Sequence, residues 1–125
     1  MRETAIVSIV DDDESVRDSV SALVRSLGYT ARAYPSAEDF LNSAEADAAD
    51  CLVTDIQMPG MSGIELQQVL VTKGSKLPII FITAFPEDHL KRKVLAAGAV
   101  CLITKPCDGE ALVTYIEFAL TSRKR

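Results

Sequence analysis

A doubly wound α/β domain is what this chain's patterning predicts, and three observations carry that expectation. Five short apolar runs alternate with five longer segments of helical periodicity. Four of the five runs are almost unbroken in Val, Ile, Leu, Phe or Cys, the pattern of strands covered on both faces of a parallel sheet. No linker, repeat or low-complexity stretch interrupts the alternation, which implies right-handed strand–helix–strand crossovers. The 125 residues are read as one domain, 1–125, because domains most often run to roughly 100–150 residues.

Taken in order, the first run is "AIVSIV" (5–10). Helix 14–27 follows, with Val16, Val20, Leu23, Val24 and Leu27 on one stripe and Gly28 as its stop. "TARAY" (30–34) alternates instead of running continuously, which places it at a sheet edge. Segment 36–43 opens with Ser36 and has Asp39 three residues on, a capping-box-like start. "SAEADAAD" (43–50) is read as a loop, and "CLVT" (51–54) as the third strand. Helix 63–73 ends at Gly74, and "PIIFIT" (78–83) is the fourth strand. Helix 86–97 has Pro86 near its first turn and ends at Gly98. "VCLIT" (100–104) completes the strands. Helix 109–121 follows Asp108 as N-cap and carries the stripe Leu112, Tyr115, Ile116, Ala119 and Leu120.

A composition of 48% hydrophobic and 25% charged residues is that of an ordinary globular domain. The net charge of -5 argues against direct nucleic-acid binding by this domain. Cys51, Cys101 and Cys107 have no metal-ligand spacing, and the first two sit in apolar runs as small hydrophobes. No signal peptide and no apolar run approaching the ~20 residues of a membrane span is present, so no membrane association and a reducing cytoplasm are expected.

Chemistry is expected where the strands end, because ligands of open α/β sheets bind outside the carboxyl ends of the strands. The first run delivers Asp11 and Asp12 there, the third Asp55, the fourth Thr83, and the fifth leads through Thr104 into Lys105. Like charges converging on one edge need a cation to answer them. Oxygen-only ligands suit Mg²⁺ with retained waters, which commonly shares one or two carboxylates with a phosphoryl group. Lys105 and Thr83 are then a cation and a hydroxyl for the same phosphoryl group. Asp13 and Glu14, by contrast, read as helix-starters that cap 14–27 and meet its dipole. His89 reads as a solvated helix residue, and the tail "SRKR" (122–125) as a complement to a helix C-terminus.

"IVDDD" after the first strand, "DIQMPGMSG" after the third, "ITA" ending the fourth and "TKP" ending the fifth together resemble a response-regulator receiver domain of two-component signalling. The match runs in register over essentially the whole chain. The resemblance implies a (βα)5 flavodoxin-like three-layer sandwich with strand order 2-1-3-4-5, an order taken over from the chemotaxis receivers and not worked out independently. It implies Asp55 as the nucleophile that takes a phosphoryl group from a sensor histidine kinase. Asp12 and Asp55 would bind Mg²⁺, Asp11 would help through water, and the main-chain carbonyl of Gln57 would be a third ligand. Thr83 would be the switch hydroxyl, Lys105 the phosphoryl partner, and Lys105–Pro106 a cis bond. Homodimerisation through the face of 86–97, 100–104 and 109–121 is also implied. "SIVDDDESVRDSVSALVRSLGY" resembles receivers that precede a LuxR-type DNA-binding domain, which implies a transcriptional output.

One residue departs from the family pattern: Leu102 stands three residues before Lys105, where receivers usually carry Tyr or Phe. The runner-up reading is therefore a receiver-like adaptor that works without phosphorylation. A small Mg²⁺-dependent aspartyl phosphohydrolase fits poorly, because "VDDDES" lacks the Asp-x-Asp nucleophile motif such enzymes place after the first strand. An FMN carrier of the same architecture would want a Ser/Thr/Gly-rich phosphate loop where this chain places acids.

Overall fold

A computed structural model describes residues 4–44, 46–106 and 108–123. Strands β1 (Ile6–Val10), β2 (Thr30–Tyr34), β3 (Cys51–Asp55), β4 (Ile79–Thr83) and β5 (Cys101–Thr104) alternate with helices α1 (Glu14–Ser26), α2 (Ala37–Asn42), α3 (Gly63–Thr72), α4 (Asp88–Ala96) and α5 (Gly109–Arg123). The strands form one sheet in the order β2-β1-β3-β4-β5. Every neighbouring pair is parallel, with Val10 beside Thr54, Asp55 beside Ile82 and Thr83 beside Thr104. The predicted fold class and strand order are thus those observed.

Burial explains the pattern of four runs but not of the fifth: β5, whose continuous run read as covered on both faces, is the other edge strand and has no fully buried residue. β3 and β4 are buried throughout and β1 nearly so, whereas the alternating β2 lies at one edge with two exposed residues. Alternate strand residues feed two separate cores. Val7, Ile9, Val53, Ile80 and Ile82 pack with Val20 and Val24 of α1 and Leu112 and Ile116 of α5. Val10, Leu52 and Phe81 pack on the other face with Phe40 of α2, Leu66 and Leu70 of α3 and Val94 of α4. Helices on both faces make the three layers and leave the strand ends as the open edge.

The helix boundaries follow their caps. Asp13 is the N-cap of α1, accepting from Ser15 N–H at 2.9 Å. Ser36 accepts from Asp39 N–H, and Asp108 from Glu110 N–H. At the end of α1, Gly28 takes φ 89° and its N–H donates to Arg25 O, while Tyr29 N–H donates to Val24 O. This pair of bonds is a Schellman stop, and the same pattern closes α3 at Gly74 and α4 at Gly98. Two expectations need correction. α4 begins at Asp88 with Glu87 as N-cap, so Pro86 lies before the helix and not in its first turn. The 43–50 loop contains a single 3-10 turn, Ala46–Ala48. Cys51 is buried and Cys101 half-buried against the α1/α5 core, in line with their reading as hydrophobes. Cys107 and the last two residues of the basic tail lie outside the described residues.

Candidate functional site

The parallel register brings Asp11, Asp55, Thr83 and Lys105 to one edge of the sheet, although they come from four separate stretches of chain. Asp11 follows β1 and is fully buried. It is held there because its backbone N–H donates to Tyr34 O at 3.2 Å and its Oδ1 accepts from Asp13 N–H at 2.9 Å. Arg17 adds a bond from Nη1 to the Asp11 carbonyl at 2.8 Å, fastening the β1–α1 turn from the helix side. Asp55 ends β3, and its Oδ1 accepts from Ile56 N–H at 2.7 Å and Gln57 N–H at 3.3 Å. Lys105 Nζ lies 2.9 Å from Asp11 Oδ2 and 3.0 Å from Asp55 Oδ2. One ammonium therefore answers two carboxylates.

Oxygens of Asp11, Asp12 and Asp55 lie within 4.8 Å of one another, with Asp12 exposed at the mouth and the other two buried. The electrostatics are unbalanced toward negative charge. Burial pushes the Asp11 carboxyl above its ordinary 3.8; the Asp13 N–H and Lys105 offset this in part, and the nearby Asp55 charge adds to it. Burial pulls the Lys105 ammonium down, but its hydrogen bonds and charge attraction to Asp11 and Asp55 together leave it above its ordinary 10.5. Lys105 Nζ is thus the cation shared by both carboxylates, at hydrogen-bond distance from each. Three carboxylates converging within 4.8 Å and answered by one ammonium leave net negative charge, and this all-oxygen donor set fits a hard divalent cation.

The remaining candidates differ in position. Thr83 is fully buried, and its Oγ1 accepts from Phe85 N–H at 3.1 Å. Gln57 is exposed in the loop after β3, with its N–H turned to Asp55. Leu102 is half-buried, paired in register with Phe81 and packed with the core that contains Val94. The Lys105–Pro106 peptide is cis. His89 is exposed on α4, 3.4 Å from Glu87.

Loop 56–62 is shaped by contacts that the sequence pattern did not reveal. Gly63 N–H donates to Ile56 O at 2.8 Å, and a Cβ at Gly63 would run into the Asp55 backbone carbonyl. Ser62 and Glu65 form a full capping box on α3. Glu38, from α2, accepts from Met61 N–H at 3.0 Å and ties the loop to the neighbouring helix. The S-x-x-E spacing at 62–65 was a readable signal for the box. Nothing local announces the Glu38 contact, which spans 23 residues.

Two buried carboxylates, a shared lysine and a buried threonine at the carboxyl ends of four parallel strands define a doubly wound α/β domain with an acidic, lysine-bridged site. The chain belongs to the response regulator receiver domain family, whose profile matches residues 7–117. It is 40% identical over 116 residues to the response regulator protein TodT of Pseudomonas putida, covering 93% of this chain and 51% of TodT. It is 32% identical over 120 residues to the transcriptional regulatory protein FixJ of Azorhizobium caulinodans, covering 96% of this chain and 57% of FixJ. Among solved structures, the response regulator StyR superposes with a TM-score of 0.90 at 38% identity, over 97% of this chain and 61% of that one. The chain thus spans about half the length of the first of these regulators. Among the described residues, no helix is long and apolar enough to cross a membrane.

Proposed function

We propose that this chain is a single receiver domain, 1–125, that accepts a phosphoryl group on Asp55 from the phosphohistidine of a sensor histidine kinase and relays the change to a transcriptional output domain. The observation that carries the reading is the shared ammonium: Lys105 Nζ bridges Asp11 Oδ2 and Asp55 Oδ2 at 2.9 and 3.0 Å. In the transfer, a carboxylate oxygen of Asp55 forms the bond to phosphorus as the nitrogen–phosphorus bond breaks. The bonding pair stays on the leaving imidazole, which takes up a proton. Lys105 shifts its charge onto the phosphoryl oxygens as negative charge builds there. Thr83, whose hydroxyl proton has no acceptor among the described residues, donates to one of the same oxygens. Ile56 and Gln57 N–H groups hold the carboxylate in the plane from which it attacks.

Asp11, Asp12, Asp55 and the main-chain carbonyl of Gln57 would hold Mg²⁺, whose charge offsets that of the phosphoryl oxygens. Support for the metal lies in the three-carboxylate cluster, whose negative charge the one ammonium of Lys105 offsets only in part. The chain catalyses this step on itself and turns over no separate substrate. Kinship with regulators of about twice its length supports an output domain beyond this chain, of the LuxR type that the resemblance implies. Dimerisation through α4, β5 and α5, with Thr83 and Leu102 as the switch pair, completes the reading, together with a cytoplasmic location and no nucleic-acid contact by this domain.

The test is the intact mass of the chain and of Asp55→Asn after incubation with acetyl phosphate and Mg²⁺. A phosphoryl adduct on the parent alone, lost in chelator, is the expected result. No adduct from acetyl phosphate or from a cognate kinase would favour the phosphorylation-independent adaptor.

A further inference from the structure

The β4–α4 junction is the most lightly anchored part of the functional edge. From Ala84 to Lys93 only Leu90 is even half-buried, and the N-cap of α4 makes no side-chain hydrogen bond. Within this stretch Phe85 is 63% exposed. Next to it in the chain, Ala84 lines an apolar groove of about 480 Å³ whose other walls include Val16 and Val20 of α1, Lys105 and Pro106. An exposed phenyl ring one residue from an empty apolar groove leaves burial energy unused.

The Phe85 backbone connects this loop to the site. Its N–H donates to Thr83 Oγ1 at 3.1 Å, and among the described residues that hydroxyl has no acceptor for its own proton. We propose that Phe85 is a two-position lid, coupled to the state of Asp55 through the Thr83 hydroxyl, and that its closed seat is the apolar groove beside Lys105. The proposal rests on Asp55 being the phosphoacceptor. Phosphoryl oxygens at Asp55 offer the Thr83 proton an anionic acceptor, a stronger partner than any it has at rest. Because the hydroxyl can donate to the phosphoryl group and still accept from Phe85 N–H, the Phe85 backbone follows Oγ1 toward the sheet edge. The ring then lies across Val16, Ala84 and the Lys105 stem.

Such a lid explains how a receiver with an aliphatic residue at 102 can still present an aromatic change at its surface. Leu102, half-buried against the α3/α4 core, supplies no ring to this change, whatever its own repacking. The moving ring sits instead on β4's own exit, one hydrogen bond from the hydroxyl that senses the phosphoryl group.

The chain has no tryptophan, so Phe85→Trp gives a single reporter. Its emission and acrylamide quenching are read before and after acetyl phosphate with Mg²⁺, and the intact mass of the same sample reports the adduct. A blue shift with loss of quenching in the phosphorylated fraction is expected. The shift should vanish in Phe85→Trp with Thr83→Ala. It should also vanish with Ser19→Gln, which fills the groove wall with a polar side chain and adds no charge beside Lys105. An adduct with unchanged emission overturns the lid, and a full shift in the Thr83→Ala background overturns the coupling. A shift that survives Ser19→Gln overturns the groove as its seat. Absence of the adduct from both this variant and the parent overturns the phosphoacceptor reading itself, and the mass separates that failure from the others.

Discussion

Replacing Lys105 by Met keeps the aliphatic stem and removes the charge, and the structure says what that should do. Nζ is within 3.0 Å of two carboxylate oxygens, one on the fully buried Asp11 and one on Asp55, and the lysine side chain is itself only 17% exposed. Removing one member of a buried ion pair leaves an uncompensated charge and costs about 3–5 kcal/mol. Partial exposure at the mouth places the expectation at the lower end, about 3 kcal/mol, or a fall in Tm on the order of 10 °C for a chain of this size. The measurement is urea unfolding in chelator, for Lys105→Met alone and combined with Asp11→Asn. The second substitution should recover most of the loss, because it removes the charge that was stranded.

The pH dependence gives that experiment a second axis. Lys105 has a raised pKa in the fold, so its contribution is complete below its ordinary 10.5 and is lost as pH rises through the raised value. Asp11 is an acid with a raised pKa, so the folded chain holds this proton to higher pH than the unfolded chain does. That effect favours the fold below its ordinary 3.8 and fades as pH rises through the raised value. Without Lys105 the Asp11 carboxyl rises further. The penalty of Lys105→Met should therefore shrink as pH falls from 7 toward 4, where the stranded carboxylate takes up a proton. A penalty below about 0.5 kcal/mol, within the range of ordinary surface substitutions, or one that is constant with pH, would refute the shared-ammonium argument.

Two further outcomes follow from the same geometry. Mg²⁺ should raise the melting temperature of the parent, adding about 2.7 kcal/mol at roughly 100 times its dissociation constant, and Asp12→Asn should weaken the response; a flat titration would remove the metal from the site. Gly63→Ala should cost about 3 kcal/mol, at the upper end for overpacking, because the new Cβ meets the Asp55 backbone carbonyl and not a side chain that could yield; an unchanged urea midpoint would mean that the loop is free to shift.

The fold was legible because burial leaves a pattern in the chain. Three central strands covered on both sides read as continuous apolar runs, and the alternation of Thr30–Tyr34 marked an edge. The site was legible for a related reason, since polar residues that directly follow buried strands have only one edge to occupy. What stayed hidden was contact between segments. Arg17 reaching the Asp11 carbonyl, Gln67 donating to Val94 O from α3 to α4, and Glu38 holding the loop at Met61 depend on how helices pack, which periodicity does not specify. The start of α4 was misplaced because Pro86 is compatible with a first helical turn and also with the turn before it. The residues around it are all exposed, so no core contact marked the boundary.

The way Lys105 is shared also bears on how the proposed phosphoryl transfer would begin. An ammonium placed only after transfer would have to be desolvated and oriented during the reaction, at a cost added to the barrier. Here that cost is met in folding: Nζ already sits between Asp11 and Asp55, and Asp55 Oδ1 is already fixed by two backbone N–H groups. On the proposed reading, transfer to Asp55 would redirect existing hydrogen bonds and order no new side chain at the acidic cluster. The same economy limits the signal, since a site that barely rearranges needs an amplifier. The hydroxyl of Thr83 suits that role, because Thr83 is fully buried and, among the described residues, its one hydrogen bond leads out of the site to the backbone of an exposed loop.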